Sequence, residues 1–215
     1  MRTDSQLQND VLQEIKWDPG LRHIAVTAKD GAVTLMGHVS SYFEKIRAVS
    51  AVEHVYGVKA IADEIEIRVR GTHERDDSDI AESIARILEW NAMLENQHIQ
   101  AKVVNGLVTL SGEVDSNRER EEATSSVHRV LGVKALTNRI TVKPRVTTTQ
   151  VERQITNALA RHAALDARQI HVTTNVSTAI LAGHVHSLDE ARIARNAAWS
   201  APGISTVKDH LVVEP

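Results

Sequence analysis

The chain has 215 residues, 42% hydrophobic and 25% charged, with 25 Lys and Arg set against 28 Asp and Glu. It contains no cysteine, which excludes disulfides, thiolate metal sites and a cysteine nucleophile. A formal charge of -3 and 3% aromatic residues supply neither the basic footprint of a duplex binder nor the stacking rings of a single-strand platform, so no nucleic-acid partner is expected.

The opening residues, Met1 to Asp10, are polar and lack the apolar centre of a secretory leader. No apolar run approaches the about 18 residues that a membrane-spanning helix needs. This reading expects a cytoplasmic protein, with the periplasm as the alternative if a leader has been removed. Leu7, Val11 and Ile15 then recur at helical spacing and predict a first helix. Ile24, Val26 and Ala28 alternate as in a half-buried strand. Asp30-Gly31 follows as a hairpin turn, because both residues tolerate positive φ. Val33, Leu35 and Val39 form the inward side of a second strand. Ser41 and Glu44 have the spacing of a capping box and predict a second helix, which should stop before Gly57 at a left-handed C′ residue. A last strand carries Ile65 and Ile67.

The same order returns twice. The segment Ile24 to Val39 is matched from Ile99, where Gly106, Val108, Leu110, Gly112 and Val114 keep their places. Ile170, Ala179, Leu181, Gly183 and Val185 mark a third copy. Its turn, Asn175-Val176-Ser177, lacks glycine and is expected to differ. Gly57-Val58, Gly132-Val133 and Gly203-Ile204 repeat as well, as do the capping boxes Ser116–Glu119 and Ser187–Glu190. Three tandem domains follow, 1–70, 71–143 and 144–215. The predicted class is α+β: three αββαβ units, each a small three-stranded mixed sheet with two helices on one face. Right-handed crossover makes the second and third strands parallel if they share an edge. Strand order stays open, as does a pseudo-threefold packing of the units. The joints, Arg70 to Asp77 and Lys143 to Thr147, are short and polar, which favours neighbours in contact.

Each unit resembles a BON domain (bacterial OsmY and nodulation). The third copy carries this most clearly in Leu181-Ala182-Gly183-His184-Val185, Glu190-Ala191-Arg192, Ala197-Ala198-Trp199 and Pro202-Gly203-Ile204. The first two share its Val-Thr-Leu-x-Gly-x-Val strand and Gly-Val-Lys-Ala turn. The resemblance extends over nearly the whole chain. It implies a non-enzymatic module of osmotic or envelope stress that attaches to phospholipid membranes.

Individual residues refine that expectation. Gly37, Gly112 and Gly183 lie inside a strand, where a close helix or a bulge would account for them. Gly57, Gly132 and Gly203 read as helix C-caps. His184 and His186 share one strand face, and His171 lies on the neighbouring strand, so they are the candidate ligands for a metal. With no carboxylate partner in view, surface histidines are the reading and no metal or other cofactor is expected. Asp76-Asp77 is read as a solvated linker pair, and no nucleophile elbow or H-E-x-x-H is present, so no catalytic residue is named. Trp17 and Trp90 sit at the ends of first helices and Trp199 in the last turn of a second helix. Indole suits a membrane interface, although the same rings could cap a core or fill contacts between units. Arg86 lies one turn before Trp90, so the two can form an interfacial foot. Arg86, Trp90, Trp17 and Trp199 are thus the candidate lipid contacts. The expected function is peripheral association with anionic phospholipid. The alternative is a cytosolic protein-interaction or chaperone-like stress scaffold, with protein partners or self-association and no lipid.

Overall fold

The structure is a computed structural model that describes residues 3–68, 75–95, 98–143, 151–161 and 169–214. The first unit comprises α1 (Asp4–Lys16), β1 (Ile24–Lys29), β2 (Ala32–Val39), α2 (Tyr42–Glu53) and β3 (Ala60–Ile67), with a 3-10 turn at Pro19–Leu21. In the second unit the elements are α3 (Asp77–Trp90), β4 (His98–Val104), β5 (Leu107–Val114), α4 (Asn117–His128) and β6 (Ala135–Val142). The third has α5 (Val151–Arg161), β7 (Ile170–Asn175), β8 (Thr178–Val185), α6 (Leu188–Trp199) and β9 (Thr206–Val213). Both predicted joints fall largely outside the described residues. No helix among the described residues is long and apolar enough to cross a membrane.

The middle strand of each unit lies centrally, in the orders β1-β2-β3, β4-β5-β6 and β7-β8-β9. It pairs antiparallel with its predecessor and parallel with its successor, as the crossover rule requires. Because side chains alternate across a strand, Val33, Leu35 and Val39 reach one face, where α1 supplies Leu7, Val11 and Ile15 and α2 supplies Ala48 and Val52. The second core repeats this with Ile80, Ile84, Val108, Leu110 and Val127, and the third with Ile155, Leu159, Leu181 and Ala194. Each Val, Leu or Ile among them contributes about 1.5–3 kcal/mol when fully buried, and the alanines less.

The caps explain the helix starts. Ser41, Ser116 and Ser187 each accept the backbone N–H three residues on. Glu44, Glu119 and Glu190 reach back to the backbone N–H groups of Ser40, Asp115 and His186 at 2.8 Å. Asp76 and Asp77 are not the solvated linker pair expected: Asp76 caps α3, and Asp77 accepts from Asn105 and Gly106 N–H at the hairpin tip, at 2.7 and 2.8 Å. Asp4 holds Asp30 N–H in the same way.

The glycines differ in detail from the expectation. The second helices end at C-caps His54, Arg129 and Ser200, so Gly57, Gly132 and Gly203 are not C′ residues. They lie one tight turn further, in Val55–Val58, Val130–Val133 and Ala201–Ile204, each closed by an N–H···O bond of 3.3 or 3.4 Å. Their φ values of 93°, 94° and 86° suit the third position of a type II turn, and Pro202 occupies the second. At Gly37, Gly112 and Gly183, the crowding comes from the adjacent strand, not from a helix. A Cβ there would collide with the carbonyl oxygens of His23, His98 and Gln169.

Candidate functional site

Trp17 and Trp90 occupy the same place in successive units, just beyond the last buried residue of the first helix. Ile15 and Leu88 turn into the core, and two residues later the indole faces out, 85% exposed at Trp17 and 84% at Trp90. The loops behind them are held. Asp18 accepts from Gly20 N–H and pairs with Arg47 at 2.6 Å, tying the end of α1 to α2. Asn91 donates to Glu122 and Ser126, tying the end of α3 to α4. Arg86, Ile87 and Trp90 line one shallow depression, with Glu82 3.9 Å from the Arg86 guanidinium. Arg86 and Trp90 therefore share the face that helical spacing implied. Lys16 and Arg161, basic residues in the last turns of α1 and α5, are the positions the sequence reading passed over. The signal was that Arg161 holds the register of Trp17 and Trp90, two residues past the last buried helix position, and that Lys16 directly precedes Trp17.

Trp199 belongs elsewhere. It is half-buried between the second and third units, with the Arg120 guanidinium 4.1 Å above its ring. It therefore fills a contact between units, and it leaves the set of lipid-facing candidates.

That contact is one of three of the same kind. At the start of α2, Tyr42 packs on the second unit's core and meets His128 at the end of α4 edge-on, 5.4 Å between rings. Arg129 lies 5.5 Å from the Phe43 ring. The start of α4 meets the end of α6 through Arg120 and Trp199. Closing the circuit, Leu188 at the start of α6 packs on the first unit's core, while Asp189 and Arg192 face His54 and Glu53 at the end of α2, at 3.5 and 3.8 Å. Glu53, His128 and Trp199 are equivalent positions, the last residue of each second helix. Three head-to-tail contacts that close on themselves make a ring with a pseudo-threefold axis. Burial at these seams pushes the Tyr42 hydroxyl up, and the His128 imidazole and Arg120 guanidinium down.

The histidine candidates do not converge. His184 Nδ1 lies 3.2 Å from Glu214 Oε2 and His186 Nδ1 3.2 Å from the Glu214 carbonyl oxygen, while His171 joins neither. Among the described residues, no group of three His, Asp or Glu side chains is arranged to hold a metal ion.

Comparison with known proteins agrees with this repeat. The BON domain model matches residues 3–69, 76–144 and 147–215. The chain belongs to the BON domain family. One relative is the osmotically-inducible protein Y of Escherichia coli (strain K12), 30% identical over 126 residues; the match covers 56% of this chain and 62% of that protein. Among solved structures, CdsD, a structural protein of the type III secretion system of Chlamydia trachomatis, is 20% identical, covers 97% of this chain and 92% of its own, and gives a TM-score of 0.28. Its C-terminal domain gives 0.27 at 20% identity with full coverage of both chains. At such scores the overlay carries no conclusion about how the three BON units are arranged.

Proposed function

We propose that this chain is a non-enzymatic binding module that attaches peripherally to anionic phospholipid surfaces in osmotic or envelope stress. One observation carries the reading: two nearly fully exposed indoles, Trp17 and Trp90, stand at equivalent positions on clamped helix ends, each with a basic side chain within one turn. Rotation about the ring axis keeps equivalent points at one height. The ends of α1, α3 and α5, with Trp17, Trp90 and Arg161, therefore share a single rim. Indoles bury their apolar edge at a headgroup layer while the N–H stays wet. Lys16, Arg86 and Arg161 each add about 1 kcal/mol near an anionic leaflet, a reversible and salt-sensitive attachment. The stress role is drawn from the similarity to osmotically-inducible protein Y.

Liposome co-sedimentation tests this. Phosphatidylglycerol-containing vesicles should carry the chain down, less of it at physiological than at low salt, whereas phosphatidylcholine vesicles should not bind it. A Trp17→Ala/Trp90→Ala double variant should stay in the supernatant, and Arg86→Glu should weaken sedimentation. If no vesicle binds the chain, the lipid reading fails. The scaffold reading then leads, through the exposed apolar hairpin tip of Val104 and Leu107.

A further inference from the structure

The three units treat the border between first helix and first strand differently. In the first unit, Gln8 Nε2 donates to the Val26 carbonyl at 2.7 Å, and Leu12, one turn on, packs on the core. That bond shows which way the strand faces. Val26 turns its carbonyl away from β2, and alternate residues of an antiparallel strand point both N–H and C=O the same way. β1 is thus an edge strand whose free side is partly covered by Gln8 and Leu12. The repeat places Ala81 and Ala85 at these two positions in the second unit, and Glu152 and Thr156 in the third. Only the second unit has alanine at both.

The small side chains leave a groove of about 340 Å³ between α3 and β4. Ala81, Ala85 and Leu88 line it from the helix, Ile99 and Ala101 from the strand, with Leu94 from the loop between them. Ile99 and Ala101 are only part-buried, whereas their counterparts Ile24 and Val26 are buried. The Ala101 carbonyl corresponds to that of Val26, and Ala81 has no donor to give it. By the same register, Ile99, Ala101 and Val103 turn their N–H and C=O groups to the free side of β4. Such a row of alternating donors and acceptors beside an apolar floor matches an extended backbone. Both charged residues among the described lining, Glu89 and Glu95, are acidic.

The geometry points to a peptide site: the groove takes an extended segment of a partner protein as a fourth strand beside β4. Alternate side chains of the guest turn toward α3, where the floor accepts apolar groups and the two glutamates accept Lys or Arg.

Titration of the 15N-labelled full chain with the hexapeptide Lys-Thr-Val-Thr-Val-Lys, and with its Ala and Leu versions at the two Val positions, tests the assignment. At least one peptide should give saturable shifts at the Ile99, Ala101 and Val103 amides, with a dissociation constant of about 1 mM or tighter. Replacing both Lys by Glu should weaken binding about tenfold or more. N-methylation at every second peptide residue should abolish binding in one frame and spare it in the other, because only one edge of the guest meets β4. Ala81→Gln/Ala85→Leu, which installs the residues of the first unit, should weaken binding about tenfold or more without lowering Tm. No saturable shift with any of the three peptides, equal binding of the acidic peptide, equal loss in both N-methyl frames, or unchanged affinity in the double variant would each overturn the assignment.

Discussion

At the scale of single residues, backbone conformation sets the strongest constraints. Gly112 has φ 138° and faces the His98 carbonyl so closely that no Cβ fits. Gly112→Ala should therefore destabilise the chain by at least about 3 kcal/mol, read from urea unfolding, because backbone on both sides must move. Val176 is the opposite case. It sits at φ 52° in the β7–β8 turn, where the other units place Asp30 and Asn105 at 52° and 54°. Only there does the following residue, Ser177, lack the positive φ of Gly31 and Gly106, so this turn is of another type, as its missing glycine suggested. A β-branched residue in the left-handed region is strained. Val176→Asn should raise stability by about 1 kcal/mol, checked by the same unfolding curves.

Among elements, the second helix recurs with most constancy and has the clearest local code. Its serine cap and reaching glutamate satisfy backbone N–H groups that the helix itself cannot. Ser187 is buried, so Ser187→Ala strips a cap with little water to replace it. A loss of about 1–2 kcal/mol is expected in thermal unfolding, while far-UV circular dichroism of the native state should not change. The first helix obeys a different logic. Its apolar stripe of Ile80, Ile84 and Leu88 seats α3 on the sheet and thereby turns Trp90 outward, so core packing determines the exposure of the rim.

For the whole molecule, the ring is held by few groups at each seam, and some of them titrate. Desolvation lowers the His128 pKa from its ordinary 6.5. The unfolded chain therefore takes up this proton at higher pH than the folded chain does. Its contribution is fully present above pH 6.5 and declines as pH falls below that value. Tm should drop on acidification through this window, and His128→Gln should flatten the decline. Charge at the closing seam offers a second check. Glu53→Lys would set a cation against Arg192, so the radius of gyration from solution X-ray scattering should rise while helix content holds.

The repeat, the αββαβ order, the hairpins and the caps were legible in the residues because each depends on neighbours a few positions apart. Period-two and helical spacing identify the core faces, and Ser-x-x-Glu or Asp-Gly satisfies local backbone needs. Strand order and the ring depended on partners far apart in the chain, such as Tyr42 with His128 and Glu53 with Arg192, about which local pattern says nothing. That is why Trp199 could be read as a lipid contact until its place beneath Arg120 was seen. It is also why the polar residue at position 117 acquires meaning only in the ring. Tyr42 and Leu188 pack on a neighbouring core, whereas Asn117, at the same position of the repeat, lines an open cleft. Short-range chemistry thus determined what each unit is, and long-range packing decided which surfaces the three units bury and which they leave for others.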